Sequence, residues 1–154
     1  MSYRPKYLGH LNLYVQDVER AEKFYADILG LHTYGRRPGH SVFMSADMEQ
    51  AHEIALMKVR DDAPGPERGQ VGLNHMAWKM ETFDDLKEIH ARLKEKGVLI
   101  ENVADHGIAM GIYFRDPDGN GIEVYYELSK EQWPDEVPYG TGDVMSISKF
   151  PWSL

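Results

Sequence analysis

The first thirty positions show a strand pattern followed by a helix pattern. A short, largely apolar run of β-type residues covers 10–15, which predicts a strand. Between Asp17, a natural N-cap, and Gly30, apolar side chains recur with helical spacing at Ala21, Phe24, Tyr25, Ile28 and Leu29. This periodicity predicts an amphipathic helix that ends at the glycine.

The same succession starts again in the second half of the chain, 65 positions later (75 minus 10). A strand pattern covers 75–80, and Thr82 with Asp85 forms a helix start that is typical of a capping box. Gly97 closes the second helix, whose buried stripe consists of Leu86, Ile89 and Leu93. The chain therefore repeats one structural pattern.

Three further strand patterns follow each helix, so each half has the order βαβββ. They cover 31–36, 41–45 and 53–59 in the first half and 98–103, 111–115 and 121–126 in the second. A lone βαβββ unit leaves one face of its sheet bare, so two units are expected to share one core. We predict an α+β fold of two tandem units in one domain over 1–154, with a first unit at 6–59, a linker at 60–70, a second unit at 71–127 and a tail at 128–154.

The composition narrows the chemistry that is available. The 154 residues include no cysteine, so a disulfide framework, a thiolate metal site and a cysteine nucleophile are excluded. The formal net charge is −8 and the 17 basic residues are scattered, which disfavours nucleic acid and anionic membranes as partners. No signal-peptide pattern and no stretch fit to span a bilayer is present, so the sequence predicts a cytoplasmic protein.

Two histidines and one glutamate form a candidate metal site. His10 and His75 hold the same place in the two copies, so a pseudo-twofold axis would aim both imidazoles at one centre. Glu123 lies in the apolar strand Gly-Ile-Glu-Val-Tyr-Tyr, where a buried carboxylate is costly unless a cation accompanies it. Two imidazoles and one carboxylate suit iron(II), manganese(II) or zinc. The alternative is that both histidines are core residues and that Glu123 faces solvent.

Three features together resemble the vicinal oxygen chelate superfamily. They are the paired units, the histidine on each first strand and the segment Tyr-Phe-Arg-Asp-Pro-Asp-Gly-Asn-Gly-Ile-Glu at 113–123. The resemblance extends over residues 6–127 and implies a curved mixed β-sheet around a metal ion. Glyoxalases, epimerases, fosfomycin-resistance transferases and extradiol dioxygenases share this scaffold, so the fold alone does not determine the function.

One position distinguishes among these activities. Aligning Ile-Ala-Leu-Met at 54–57 with Ile-Glu-Val-Tyr at 122–125 places Ala55 at the counterpart of Glu123. Glyoxalase I, which has a similar scaffold, uses a further carboxylate from its first unit, so Ala55 disfavours that activity. Glu53, which lies nearby, would need a slip of strand register to replace it. With this carboxylate missing, the ion is expected to keep open positions for a bidentate diol and dioxygen.

Three further residues resemble functional residues of the type I extradiol dioxygenases. His52, in Ala-His-Glu-Ile-Ala-Leu, resembles the histidine that serves as acid/base beside bound oxygen in that family. His106 resembles a supporting histidine upstream of the final strands, and Tyr113, ten residues before Glu123, matches a tyrosine that hydrogen-bonds the substrate oxygen. The structural alternatives are an edge residue for His52, a turn residue for His106 and simple packing for Tyr113.

The resemblance therefore implies an extradiol ring-cleaving dioxygenase of aromatic hydrocarbon catabolism, with iron(II), or alternatively manganese(II), as cofactor. Its substrates would be dioxygen and a small aromatic diol, such as catechol or a 2,3-dihydroxybiphenyl-like compound. The alternatives are a fosfomycin-resistance-type transferase, a glyoxalase, an epimerase and a non-catalytic ligand-sequestering protein. The acidic chain shows no basic cluster for the transferase, and the metal triad argues against the sequestering protein.

The tail at 128–154 has no clean period and contains Trp133 and Trp152. We interpret it as an irregular segment that these two side chains anchor; the alternative is a cover over the site or over a neighbouring subunit. Exposed strand edges and the aromatic residues of the tail favour a homodimer or a larger homo-oligomer. The sequence leaves open which catechol is the substrate and whether iron or manganese is bound.

Overall fold

The computed structural model of the chain describes residues 4–133 and 135. It divides into two compact units at Gly65 and Pro66, a boundary inside the segment that the sequence suggests as a linker. Each unit contains one helix and one four-stranded sheet. The α+β fold of two βαβββ units is thereby confirmed. Trp152 and most of the tail around it lie outside the described residues.

The first unit follows the predicted order of elements. Its strands and helix are β1 (Leu11–Val15), α1 (Val18–Leu29), β2 (His32–Arg37), β3 (Ser41–Ser45) and β4 (Ile54–Lys58). The sheet has the order β1-β4-β3-β2, with β1 parallel to β4 and the other pairs antiparallel. The Asp17 side chain accepts a hydrogen bond from the Arg20 amide, and Gly30 ends the helix with a φ of 69°, a conformation that glycine adopts without strain.

The second unit repeats this topology. Its elements are β5 (Met76–Lys79), α2 (Phe83–Glu95), β6 (Ile100–Asp105), β7 (Ala109–Arg115) and β8 (Gly121–Glu127), and the sheet has the order β5-β8-β7-β6. Thr82 and Asp85 form the predicted capping box at the start of α2. A short 3-10 helix, Lys130–Gln132, follows β8, and the Trp133 indole donates to the carbonyl oxygen of Leu128 at 2.9 Å.

Strand alternation separates an apolar face from a functional face in the second sheet. On β8, Ile122 and Val124 are buried in the layer that α2 covers. Because successive side chains of a strand point to opposite faces, Glu123 projects from the other face of the sheet. The Glu123 carboxylate therefore lies on the side of the sheet away from α2.

The strand register confirms the alignment of the two copies. In the first unit Asn12 on β1 pairs with Ala55 on β4, and in the second Ala77 on β5 pairs with Glu123 on β8. Asn12 and Ala77 each lie two residues after the histidine of their unit. Ala55 is thus the structural counterpart of Glu123.

Among the residues described here, no helix combines the length and the apolar character needed to cross a membrane.

His90 makes the stability of the second unit depend on pH. It is buried on α2 at the repeat counterpart of Tyr25, and burial, helped by nearby Lys94, lowers the pKa of its imidazole from the ordinary 6.5. Below 6.5 the unfolded chain therefore binds a proton that the folded chain resists, so stability is lost as pH falls.

We expect His90→Leu to make stability less dependent on pH between about 7.5 and about 5.5, the range in which histidine titrates. The measurement is the urea midpoint of unfolding at both pH values. His40→Leu, at an exposed histidine, is the matched control and should keep the wild-type dependence. An equal dependence in wild type and His90→Leu would contradict the assignment.

Candidate functional site

Three neighbouring strands bring a polar cluster together in the second unit. Tyr113 on β7 pairs directly with Glu123 on β8, and His75 immediately precedes β5, the strand on the other side of β8. Their side chains meet because residues paired across strands share one face of the sheet. The Nε2 atom of His75 lies 3.1 Å from Oε2 of Glu123. The Tyr113 hydroxyl donates to the other carboxylate oxygen, Oε1, at 2.7 Å.

The cluster extends by one hydrogen bond at each end. Nε2 of His106 lies 3.0 Å from the Tyr113 hydroxyl, and because that hydroxyl donates its proton to Glu123, His106 acts as the donor. At the other end, Asn74 Oδ1 lies 2.7 Å from His75 Nδ1. An amide oxygen only accepts hydrogen bonds, so Nδ1 of His75 carries the proton.

The geometry of His75 and Glu123 in the second unit is compatible with a bound metal ion. With Nδ1 protonated, Nε2 of His75 presents a lone pair to a carboxylate oxygen, and two acceptors at this distance require a cation between them, either a proton or a metal. The Glu123 side chain is only 12% exposed, so an uncompensated charge there would be costly. Adjacent ligands about 2.1 Å from one octahedral ion lie about 3 Å apart, close to the observed separation. The two donors fit.

The first unit holds a pair of histidines. His10 immediately precedes β1, as His75 precedes β5. The ring centroids of His10 and His52 are 4.6 Å apart, and Phe43 contacts His52 edge-on at 5.3 Å. The proposed ligand and the proposed acid/base of this unit are therefore neighbours.

The first unit has an apolar pair where the second has a hydrogen-bonded polar pair. Phe43 on β3 faces Ala55 on β4, in the positions that Tyr113 and Glu123 hold in the second unit. Glu53 does not substitute for the missing acid, since its carboxylate accepts from the Ala46 amide at 2.8 Å and from the Ser45 hydroxyl at 3.1 Å. No slip of register occurs along β4. The candidate donor set thus contains one strand carboxylate.

Neither unit by itself assembles a complete metal site: within the ranges 4–133 and 135, no group of three histidine, aspartate or glutamate side chains is placed to hold an ion. The second unit supplies two donors, His75 and Glu123, and the first unit supplies His10. The triad as a whole stays a prediction.

Beside the cluster, the second unit contains a cavity of about 570 Å³, whose lining includes His75, Tyr113 and Asn102. The cavity lining also includes an ion-pair network, in which Glu101 binds Arg115 at 2.8 Å and Arg68 at 2.9 Å. Burial raises the pKa of Glu101, but hydrogen bonds from the two arginines outweigh it and hold that pKa below its usual value. The cavity is large enough for a small aromatic molecule.

Sequence reasoning missed two residues that orient His75. Asn74 hydrogen-bonds its imidazole, and Gly121 lies where a Cβ atom would come within 2.3 Å of the Asn74 carbonyl oxygen. Gly121 therefore permits the close approach of β5 and β8 that brings His75 to Glu123. A glycine at the start of a strand next to a candidate ligand is the signal that points to this role.

Comparison with known proteins identifies the relatives of this chain. A model of the glyoxalase/bleomycin resistance protein/dioxygenase superfamily matches residues 7–124. Biphenyl-2,3-diol 1,2-dioxygenase 3 of Rhodococcus globerulus is 33% identical over 129 residues, 80% of this chain and 64% of that protein. Manganese-dependent 2,3-dihydroxybiphenyl 1,2-dioxygenase of Geobacillus genomosp. 3 is 28% identical, over 82% of this chain and 38% of that protein. The chain thus spans less than two thirds of either relative.

Solved structures share the fold. A lactoylglutathione lyase from Agrobacterium tumefaciens has a TM-score of 0.63 at 25% identity, over 80% of this chain and 96% of that one. A glyoxylase/bleomycin resistance protein/dioxygenase domain from Frankia sp. EAN1pec has a TM-score of 0.68 at 21% identity, over 80% of this chain and 99% of that one. The second likeness shows the fold alone.

The Tyr113 hydroxyl is expected to stabilise the second unit through its bond to Glu123. Tyr113→Phe removes a hydrogen bond to a part-buried carboxylate, so the free energy of unfolding should fall by about 1–2 kcal/mol. Urea denaturation measures the change. Tyr14→Phe is the matched control, because Tyr14 is 72% exposed, and it should change stability by less than about 0.5 kcal/mol. Equal effects of the two variants would refute the stabilising role.

Proposed function

The chain belongs to the glyoxalase/bleomycin resistance protein/dioxygenase superfamily, and we propose that it is a metal-dependent extradiol dioxygenase that cleaves a catechol-type ring with dioxygen. One observation carries the proposal. The donor set has a single strand carboxylate, Glu123, whose counterpart in the first unit is Ala55. An ion held by two imidazoles and one carboxylate keeps positions open for substrates, as in non-heme iron oxygenases.

The proposed ligands are His10, His75 and Glu123. In the second unit the donor chemistry supports this assignment, because Nε2 of His75 and Oε2 of Glu123 face each other at 3.1 Å and Asn74 leaves that nitrogen free to bind a cation. When bound, iron(II), or alternatively manganese(II), would supply Lewis acidity and a route for electrons between a diol and dioxygen. The relative from Geobacillus, which is named as manganese-dependent, supports keeping both metals.

His52 is the proposed proton carrier. It is half-buried, and its ring contacts those of His10 and Phe43. A neutral imidazole can take a proton from a diol hydroxyl and later return it to an oxygen of the product, since imidazoles exchange protons near neutral pH. Its place beside a proposed metal ligand would put this proton transfer next to the substrate oxygens.

Tyr113 and His106 are proposed to orient the diol. The Tyr113 hydroxyl donates to Glu123 and lies 3.0 Å from His106, so its oxygen is held in one place. A substrate hydroxyl in the adjoining cavity could donate a hydrogen bond to this oxygen. His106 acts through Tyr113, as a positioning residue.

A glyoxalase-type lyase is the second candidate, because the lactoylglutathione lyase structure shares the fold at 25% identity. That chemistry would need a second carboxylate in the first unit, where Ala55 stands and Glu53 is occupied by Ser45 and Ala46. The relatives named as dioxygenases of biphenyl-2,3-diol and 2,3-dihydroxybiphenyl support the dioxygenase instead. The substituent on the catechol and the homo-oligomeric state stay predictions. The same holds for the alternative transferase and sequestering functions.

The metal assignment is tested by elemental analysis of protein loaded with iron(II) or manganese(II). Wild type should retain about one ion per chain, while His10→Ala, His75→Ala and Glu123→Ala should each lose it, since every variant removes one of three proposed ligands. His40→Ala, at an exposed histidine, should retain the ion. Full retention by all three ligand variants would refute the site.

The activity is tested by oxygen consumption and by the appearance of a yellow ring-cleavage product with catechol and with 2,3-dihydroxybiphenyl. His52→Phe should keep the metal but lower turnover by about 10²–10⁴-fold, the usual contribution of a general acid or base. Absence of oxygen uptake with every catechol would refute the dioxygenase. Conversion of the hemithioacetal of methylglyoxal and glutathione would establish the lyase instead.

A further inference from the structure

Gly111 is a glycine in the interior of a strand with no turn to explain it. It lies on β7 and pairs with Tyr125 of β8, and its φ is outside the left-handed region. Glycine weakens a strand interior, because it loses the most conformational freedom on folding and packs no side chain. Its presence therefore calls for a reason in the surroundings.

The space above Gly111 is filled by the Glu123 carboxylate. A Cβ atom at position 111 would lie 2.3 Å from Oε1 and 3.2 Å from the carboxyl carbon of Glu123, and 3.3 Å from Cε2 of Tyr113. Gly111 and Tyr113 are two residues apart and share a face of the sheet. Glu123 therefore leans diagonally across β7, with one oxygen over Gly111 and bonded to Tyr113 and the other oxygen beside His75.

The side chain of Glu123, rather than the backbone, would give way to a methyl group at position 111. The atom that an added Cβ would meet at 2.3 Å lies at the far end of the flexible Glu123 side chain. Such a side chain moves by changing rotamer. Such a rotation would carry Oε1 away from the Tyr113 hydroxyl and Oε2 away from His75. The cost would be the loss of these contacts of Glu123, while the backbone of β7 would keep its place.

The first unit serves as an internal comparison. The register that pairs Gly111 with Tyr125 pairs Ser41 with Met57, so Ser41 is the counterpart of Gly111. There the neighbouring strand carries Ala55 in place of Glu123, and alanine has no carboxylate that could reach across to Ser41. A side chain is tolerated at this position in the unit without the acid, and it is missing in the unit with the acid.

We propose that Gly111 is a positioning residue. Because it has no side chain, it leaves room for the Glu123 carboxylate to keep its ligand orientation. The steric part of this proposal depends only on the second unit. Its consequence for metal binding rests on the proposed function of Glu123.

The steric part is tested in metal-free protein by a double-mutant cycle with Glu123→Ala. Gly111→Ala should lower the melting temperature by about 2–4 °C relative to Gly35→Ala, the shift that loss of one hydrogen bond gives in a chain of this size. Gly35 is the matched control, since it also lies in a strand and a Cβ atom there would meet nothing within 4 Å. In the Glu123→Ala background the loss should vanish. Equal effects of Gly111→Ala in both backgrounds would overturn the proposal.

The metal part is tested by calorimetric titration with manganese(II). The dissociation constant should rise at least about tenfold in Gly111→Ala, as for loss of a group that orients a ligand, and should stay within about twofold in Gly35→Ala. Unchanged affinity in Gly111→Ala would overturn the positioning role.

If wild type binds neither manganese nor iron, the proposed function fails, and the metal-free cycle alone decides whether Gly111 positions Glu123. If Gly111→Ala does not fold, recovery of folding in the double variant supports the proposal and failure to recover overturns it.

Discussion

The second unit depends on how it accommodates one part-buried carboxylate. Glu123 lies in an apolar strand with a side chain that is 12% exposed, and an ion in such a place must be paired and hydrogen-bonded. The surrounding residues meet both needs, because Tyr113 donates to one oxygen and His75 faces the other. Asn74 and His106 in turn fix the two partners.

The same topology carries different chemistry in the two units. At matched positions one sheet has Tyr113 and Glu123, and the other has Phe43 and Ala55. The apolar pair needs no hydrogen-bond partner; His52 contacts Phe43 edge-on, and His10 contacts His52. Because of this asymmetry the donor set contains one carboxylate and not two. This is the basis for proposing a dioxygenase and not a lyase, within a superfamily whose fold serves both.

Strand alternation alone separates the face of the second sheet that carries Glu123 from the face that packs against α2. Ile122 and Val124 are buried under α2 while Glu123, between them, projects from the opposite face. Because a shift by one residue would exchange these faces, the burial of the apolar neighbours holds the carboxylate in its place. Core packing and site geometry are thus two results of one register, and the glycines at 111 and 121 relieve the contacts that this register makes tight.

The amino-acid sequence by itself determined the repeated βαβββ pattern, the helix limits at Asp17 and Gly30, the equivalence of His10 and His75 and the loss of an acid at Ala55. These features are local or periodic, so spacing and capping chemistry reveal them. Only the tertiary structure decided that the Tyr113 hydroxyl binds Glu123, that Asn74 orients His75 and that the Glu53 carboxylate is engaged by Ser45 and Ala46. The contacts of Tyr113 and Glu53 depend on side-chain rotamers. The contact of Asn74 depends on the orientation of one imidazole. Neither rotamers nor ring orientation follow from the order of residues in the chain.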